Sequence, residues 1–354
     1  MSVFKRISAL IAVLFVVVGF GSISSHEEEA GVEYVDVEKL DSNSDELDGS
    51  KLEILMVQQE VKFLSGLIRR YKPKKILEVG VCFGGSSAVI LNSIKDDEEA
   101  KLYSIDINGE EWVGRVVQAS FPELAKTGKW KLFKGNIAAK YLDEIGDGID
   151  FVFLDTMHMN PGEFLDFLMM LPYLKEGAVI VIHDVMLQHL VGGLDHKHAE
   201  YLRAMCKKFI QAYFGITDAA SLQVQTKFGY PIVSTNCTLL GTIRGKKLIP
   251  SYDLPNIGAV KLEKGQRKCL WEYFNLLILP WFYMPGDEHI GIMESHFKKH
   301  YDERYVATFK ESVAFHKECF AAAEKLAERK DEVKTEEKPV EKRGGWRRLI
   351  PWLD

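Results

Sequence analysis

From Lys74 to Asp184 the chain alternates short β-branched apolar runs with longer stretches of helical period: KKILEVG, KLYSID, WKLFKG, IDFVFLD and GAVIVIHD. Nearly continuous apolar runs of about four to eight residues, bounded by turn formers, predict strands buried on both faces. The stretches between them are long enough for crossovers, so the pattern predicts a parallel sheet in an α/β domain. Beyond Asp184 the rhythm changes. A helical stretch near residues 197–214 precedes two further runs, LQVQTKF and CTLLGTI, separated by a short segment at Gly229, Tyr230 and Pro231. Read as neighbouring strands, runs so closely linked pair antiparallel.

In the first βα unit, ILEVGVCFGGSSAVIL, the strand runs into a small-residue turn at Gly80 and the helix is opened by Ser86 and Ser87. Glycine allows positive φ and close approach to the main chain, and the first N–H groups of a helix attract anions, so the unit predicts a nucleotide cradle. A dinucleotide turn wants G-x-G-x-x-G, but Cys82 stands at the second glycine position. There is no G-x-x-x-x-G-K-[ST], which excludes a P-loop. In open α/β sheets ligands bind beyond the carboxyl ends of the strands. The residues to inspect there are Glu78, Gly80, Asp106, Gly135, Asn136, Asp155, His183 and Asp184.

Composition narrows the field. The 354 residues have room for one large domain with additions, and a net charge of −6 offers no broad basic surface for nucleic acid. Five scattered cysteines without a CxxC pair exclude a disulfide scaffold and a structural zinc site. The N-terminus carries Lys5 and Arg6 before the uncharged run ISALIAVLFVVVGFGSISS, followed by His26 and Glu27 to Glu29. This is a signal peptide or a membrane anchor, and its charge asymmetry would place the bulk of the chain outside the cytoplasm. Residues 26–50 are acidic and turn-rich and read as a linker. Residues 328–354 form a charged tail closed by WRRLIPWLD.

The motifs, in their order, resemble those of the class I S-adenosylmethionine-dependent methyltransferases, whose parallel sheet ends with a reversed strand. The resemblance spans roughly residues 55–245 and implies a doubly wound, mostly parallel seven-stranded sheet. EVGVCFGG looks like that family's E/D-x-G-x-x-x-G, which implies that Glu78, Gly80 and Gly84, with Ser86, line the methionine part of the cofactor. Asp106 stands at the acidic position that would accept the ribose hydroxyls, and Asn136 where the family meets adenine. A cytosolic supply of that cofactor conflicts with the topology suggested by the leader.

Asp155 with His158, and His183 with Asp184, resemble the metal-dependent small-molecule and sugar O-methyltransferases of the cephalosporin hydroxylase-like branch. The resemblance implies Asp155, His183 and Asp184 as ligands of Mg²⁺ or Mn²⁺, Asp155 also beside the cofactor, and His158 as general base. His183 stands where that branch has a carboxylate, and imidazole suits Mn better than Mg²⁺. The expected activity is methylation of a hydroxyl on a small molecule or glycan. The rivals are an NAD(P)-dependent oxidoreductase and a non-catalytic member of the fold.

The chain thus divides into residues 1–25 (leader), 26–50 (linker), 51–248 (methyltransferase domain), 249–327 (helical extension) and 328–354 (tail). KCLWEYFNLLILPWFYMPGDEH is too aromatic to lie exposed. It is expected to pack as helices, restricting the acceptor or forming a contact in a homo-oligomer. His296 and His300, one turn apart in HFKKH, read as a solvated helix face. In GGLDHKH, Asp195, His196 and His198 are either acceptor contacts or a plain surface loop. Attachment to a membrane through residues 7–25, or export if the leader is cleaved, is the expected localisation.

Overall fold

The structure is a computed structural model that describes residues 31–40, 47, 51–53, 56–158, 160–185, 235–253, 255–279, 281 and 283–336. Eight strands form one sheet: β1 (Val32–Val35), β2 (Lys75–Val79), β3 (Lys101–Asp106), β4 (Trp130–Lys134), β5 (Ile149–Leu154), β6 (Leu174–His183), β7 (Gly245–Pro250) and β8 (Ile257–Leu262). Their order is β1-β7-β8-β6-β5-β2-β3-β4. Every pairing is parallel except the two made by β8, which runs antiparallel to β6 and β7.

The apolar runs fold as they do because both faces of the sheet are covered. On β5, Val152 and Leu154 enter one core, and Phe151 and Phe153 the other. The second core is closed by α1 (Gln58–Tyr71) and α2 (Gly85–Ser93). The first is closed by α3 (Gly162–Met170), α4 (Thr235–Thr242), α5 (Leu270–Asn275), α6 (Asp287–His300) and the start of α7 (Glu303–Glu336). The aromatic C-terminal stretch is buried as expected: Phe274 meets Phe297, Tyr301 and Tyr305 at ring-centroid distances of 5.0–5.7 Å.

Four expectations about the sheet need correction. The sheet has eight strands rather than seven. CTLLGTI is not a strand but lies in α4, and the antiparallel partners are β7 and β8; LQVQTKF lies outside the described residues. A short apolar run is compatible with either a helix or a strand, which is where the period fails. β8 falls in the stretch expected to be a helical extension, so the sheet closes beyond residue 248. Within the acidic stretch read as a linker, VEYV forms the edge strand β1, parallel to β7, because an edge tolerates polar residues that a central strand does not.

The leader, GGLDHKH and the end of the tail lie outside the described residues. Among the described residues no helix is long and apolar enough to cross a membrane. His296 is also not solvated: it is buried, bonds the Met169 carbonyl through Nε2 at 2.9 Å and stacks on Tyr173. Desolvation lowers its pKa to about 4.

Candidate active site

The carboxyl ends of β2, β3, β5 and β6 meet at one pole of the sheet, and the start of the reversed strand β8 joins them. Gly80 leaves β2 at φ 91°, and a Cβ there would lie 1.8 Å from the Asp155 carbonyl oxygen. Only glycine permits that approach of two loops. Gly84, also at φ 91°, caps α2 and lies against the Gly114 backbone.

Glu78 is fully buried and spends its carboxylate on three hydroxyls. Ser86 donates to Oε1 at 2.7 Å, and Ser87 and Ser104 donate to Oε2 at 2.6 and 2.5 Å. Burial pushes its pKa up to about 7, against the pull of the serines. Glu78 and Ser86 therefore brace the turn from behind. Asp106 holds the same turn from its open side: Oδ2 accepts the N–H groups of Val81 at 3.0 Å and Cys82 at 2.9 Å, and Oδ1 accepts that of Asn108. Asn136 follows β4 close by, since the Gly135 N–H donates to the Asp106 carbonyl. The Asn136 side chain accepts the Ile137 N–H.

Across the turn, one ligand atom each from Asp155, His158 and Asp184 lies within 4.8 Å of the others. His158 Nε2 is 3.2 Å from Asp184 Oδ2, and Nδ1 is 3.7 Å from Asp155 Oδ1. The two carboxylates suit a divalent ion such as Mn²⁺ and lie within reach of one, so they fit a metal. The imidazole stands beside them, and its buried Nδ1 has no hydrogen-bond partner. His183 meets the same carboxylates from a buried position: Nδ1 lies 3.4 Å from Asp155 Oδ1 and 3.5 Å from Asp184 Oδ2, and Nε2 lies 3.4 Å from Glu60 of α1.

Charge is tightly coupled here. Burial opposes ionisation of Asp184, but His183, His158 and the Asn256 amide outweigh it and hold the pKa near 2. Desolvation also works against charge on His183, yet Asp155, Asp184 and Glu60 keep its pKa well above the usual value. Beneath His158 lies Glu163, wholly buried, whose Oε1 accepts the His158 backbone N–H and whose Oε2 has no partner. Burial raises its pKa. His158 and Asp184 both sit at positive φ, 56° and 54°, as does Cys82 at 50°. Non-glycine residues held in that region cost on the order of 1 kcal/mol or more each, and such strain clusters at functional sites.

Residues 77–185 match a family model described as a methyltransferase domain. The chain carries a methyltransferase domain. Its sheet, parallel but for one reversed strand beside β6, is the doubly wound arrangement expected from the motifs. No curated protein matches the chain at a significant level. Solved structures with similarity include the methyltransferase PaMTH1 of Podospora anserina bound to SAH, 17% identical, covering 69% of this chain and 100% of that one with a TM-score of 0.39. Another is the O-methyltransferase TomG of Streptomyces achromogenes, involved in tomaymycin synthesis and in complex with SAM: 17% identity, 74% and 100% coverage, TM-score 0.37. An O-methyltransferase of Bacillus cereus in complex with SAH gives 15% identity, 64% and 96% coverage, and a TM-score of 0.39.

Several residues of the domain's site escape a linear reading. Glu60 reaches His183 from 123 positions away, Asn256 donates to Asp184 Oδ1 at 2.5 Å, and Glu163 is hidden under His158. Ile107 and Met157, 48% and 41% exposed, follow Asp106 and Asp155 as apolar rims. The motif E/D-x-G itself gave no hint of these partners. They belong to other elements.

Proposed function

We propose that this domain transfers a methyl group from S-adenosylmethionine to a hydroxyl oxygen of a small molecule or glycan, with a divalent ion beside the acceptor. The observation that carries the reading is the convergence of Asp155, His158 and Asp184 next to the glycine turn and Asp106. The similar structures bound to SAM or SAH include O-methyltransferases, and the same ligand is proposed here.

The turn would receive the cofactor. The N-cap of α2 is Gly84, with no side-chain cap, so the first N–H groups of that helix are available to a carboxylate. Asp106, at the next strand end, offers an acceptor for hydroxyls, and exposed Ile107 offers an apolar surface for a flat ring. S-adenosylmethionine supplies the methyl in an in-line displacement, and a divalent ion held by Asp155 and Asp184 would lower the acceptor hydroxyl's pKa. His158 takes the proton, its ring kept between the two carboxylates by the Glu163 bond to its backbone. His183, tied to Glu60, holds Asp184 ionised and faces both carboxylates.

The test is methyl transfer from labelled S-adenosylmethionine to a panel of vicinal diols and glycans, with Mn²⁺ binding measured in parallel. Asp155→Asn should lose both transfer and Mn²⁺ binding by at least about 100-fold. His158→Ala should lose transfer by about 100-fold or more while Mn²⁺ affinity changes only a few-fold. Equal loss of Mn²⁺ binding in both variants would make His158 a ligand and not the base. The apolar segment in residues 7–25 is proposed to anchor the chain to a membrane, on the strength of its length and its lack of charge.

A further inference from the structure

The pole of the sheet opposite the site has a different character. There β1, β2 and β7 begin, β8 ends and α1 ends. Exposed Lys72 follows α1, Lys246 opens β7, Lys261 lies near the end of β8, and Lys264, Arg267 and Lys268 follow it. Contacts tie these positions into one surface. Arg70 and Lys246 share the single carboxylate of Glu33, at 2.6 Å each, and Lys261 Nζ sits 5.2 Å from the Tyr71 ring centroid. Arg244 pairs with Glu272, and Gln266 donates to the Arg244 carbonyl. Lys72, Lys264, Arg267 and Lys268 have no ion-pair partner among the described residues. On the β1–β7–β8 side of this pole the cations outnumber the carboxylates of Glu33, Glu263 and Glu272, whereas Asp97, Glu99 and Asp150 gather around Lys74 on the other side, so the positive excess belongs to the first side.

Two further features select the partner. Trp271, 64% exposed, lies beside Glu272 in the first turn of α5, just after Arg267 and Lys268. An exposed indole beside cations is the composition of a membrane interface, where Trp sits at headgroup level and each nearby Lys or Arg adds attraction to anionic lipid. The second feature is the entry of the chain. The Gly31 carbonyl accepts the Lys247 N–H, so the polypeptide reaches β1 at this same pole. Only residues 26–30 separate Gly31 from the apolar leader ending at Ser25. Five residues span at most about 18 Å.

We infer that this pole, with Trp271 and Lys264, Arg267 and Lys268 at its centre, lies on an anionic bilayer surface and turns the methyl-transfer site away from it. The inference rests on the membrane-anchor reading of residues 7–25 for the tether. It adds an orientation: bound acceptors approach from the aqueous side. A nucleic acid would also meet the charge, but neither the indole nor the short apolar tether favours it.

The full chain, mixed with phosphatidylcholine vesicles or with vesicles containing phosphatidylserine, gives the test. Flotation reads attachment, and hydrogen exchange of residues 261–274 reads the pole. The expected result is attachment to both vesicles, with exchange in 261–274 slowed at least about fivefold further on the anionic ones. In Lys264→Glu/Arg267→Glu/Lys268→Glu that extra protection should vanish while attachment remains. Attachment to anionic vesicles alone, with the protection present, would sink the anchor but keep the surface. Attachment with equal exchange on both vesicles would overturn the surface and keep the anchor. Protection by single-stranded or duplex polynucleotide, without protection by lipid, would also overturn it.

Discussion

Glu78 illustrates how much one residue of the motif does within the fold. Its carboxyl is buried, carries the hydroxyls of Ser86, Ser87 and Ser104, and has a pKa raised to about 7. A folded-state pKa above the ordinary 4.5 contributes stability that is complete below about pH 4.5 and lost as pH rises through 7. The loss amounts to about 3 kcal/mol for a shift of this size. Glu78→Gln should therefore flatten the fall in thermal stability between pH 5 and 8; identical slopes in the two proteins would refute the assignment. At Gly80 the constraint is steric. Gly80→Ala must move the Asp155 carbonyl, and chemical denaturation should show a loss of more than about 3 kcal/mol.

At the scale of elements, the loop bearing His158 is held by the C-terminal region. Buried Asn160 donates to the Leu279 carbonyl at 3.0 Å, and His316 of α7 bonds the same carbonyl at 3.1 Å. Trp281 stacks on His316 with ring centroids 4.6 Å apart. One carbonyl thus joins the extension to the site. Asn160→Ala should lower methyl transfer about tenfold with Mn²⁺ affinity changed only a few-fold, while costing about 1 kcal/mol of stability, the worth of a hydrogen bond. A stability loss with unchanged transfer would show that the link is only structural. The five parallel strands were legible because burial on both faces leaves continuous apolar runs. β1 was hidden by its acidic surroundings, and α4 was misread because a short apolar run has no distinguishing period. Of the site, Asp155, His158 and Asp184 were visible at strand ends. Glu60, Glu163 and Asn256 were not, since their roles exist only once distant elements meet, and the contact of His183 with Glu60 leaves no mark in the sequence.

On the scale of the whole molecule, the sheet separates two surfaces. Its carboxyl pole gathers Asp106, Asp155, His158 and Asp184, and the other pole gathers cations, Trp271 and the entry of the chain. Everything proposed about methyl transfer depends on the first surface holding S-adenosylmethionine and a metal side by side. Calorimetric titration of the full chain with S-adenosylmethionine, and separately with NAD, each with and without Mn²⁺, tests this most directly. Asp106→Asn is the control, because it keeps an acceptor for the Val81 and Cys82 N–H groups and removes the charge. Saturable S-adenosylmethionine binding, weakened at least about tenfold in Asp106→Asn with Mn²⁺ binding intact, is the expected result. Binding of NAD in its place, or no binding of S-adenosylmethionine by a folded chain, would contradict the proposal.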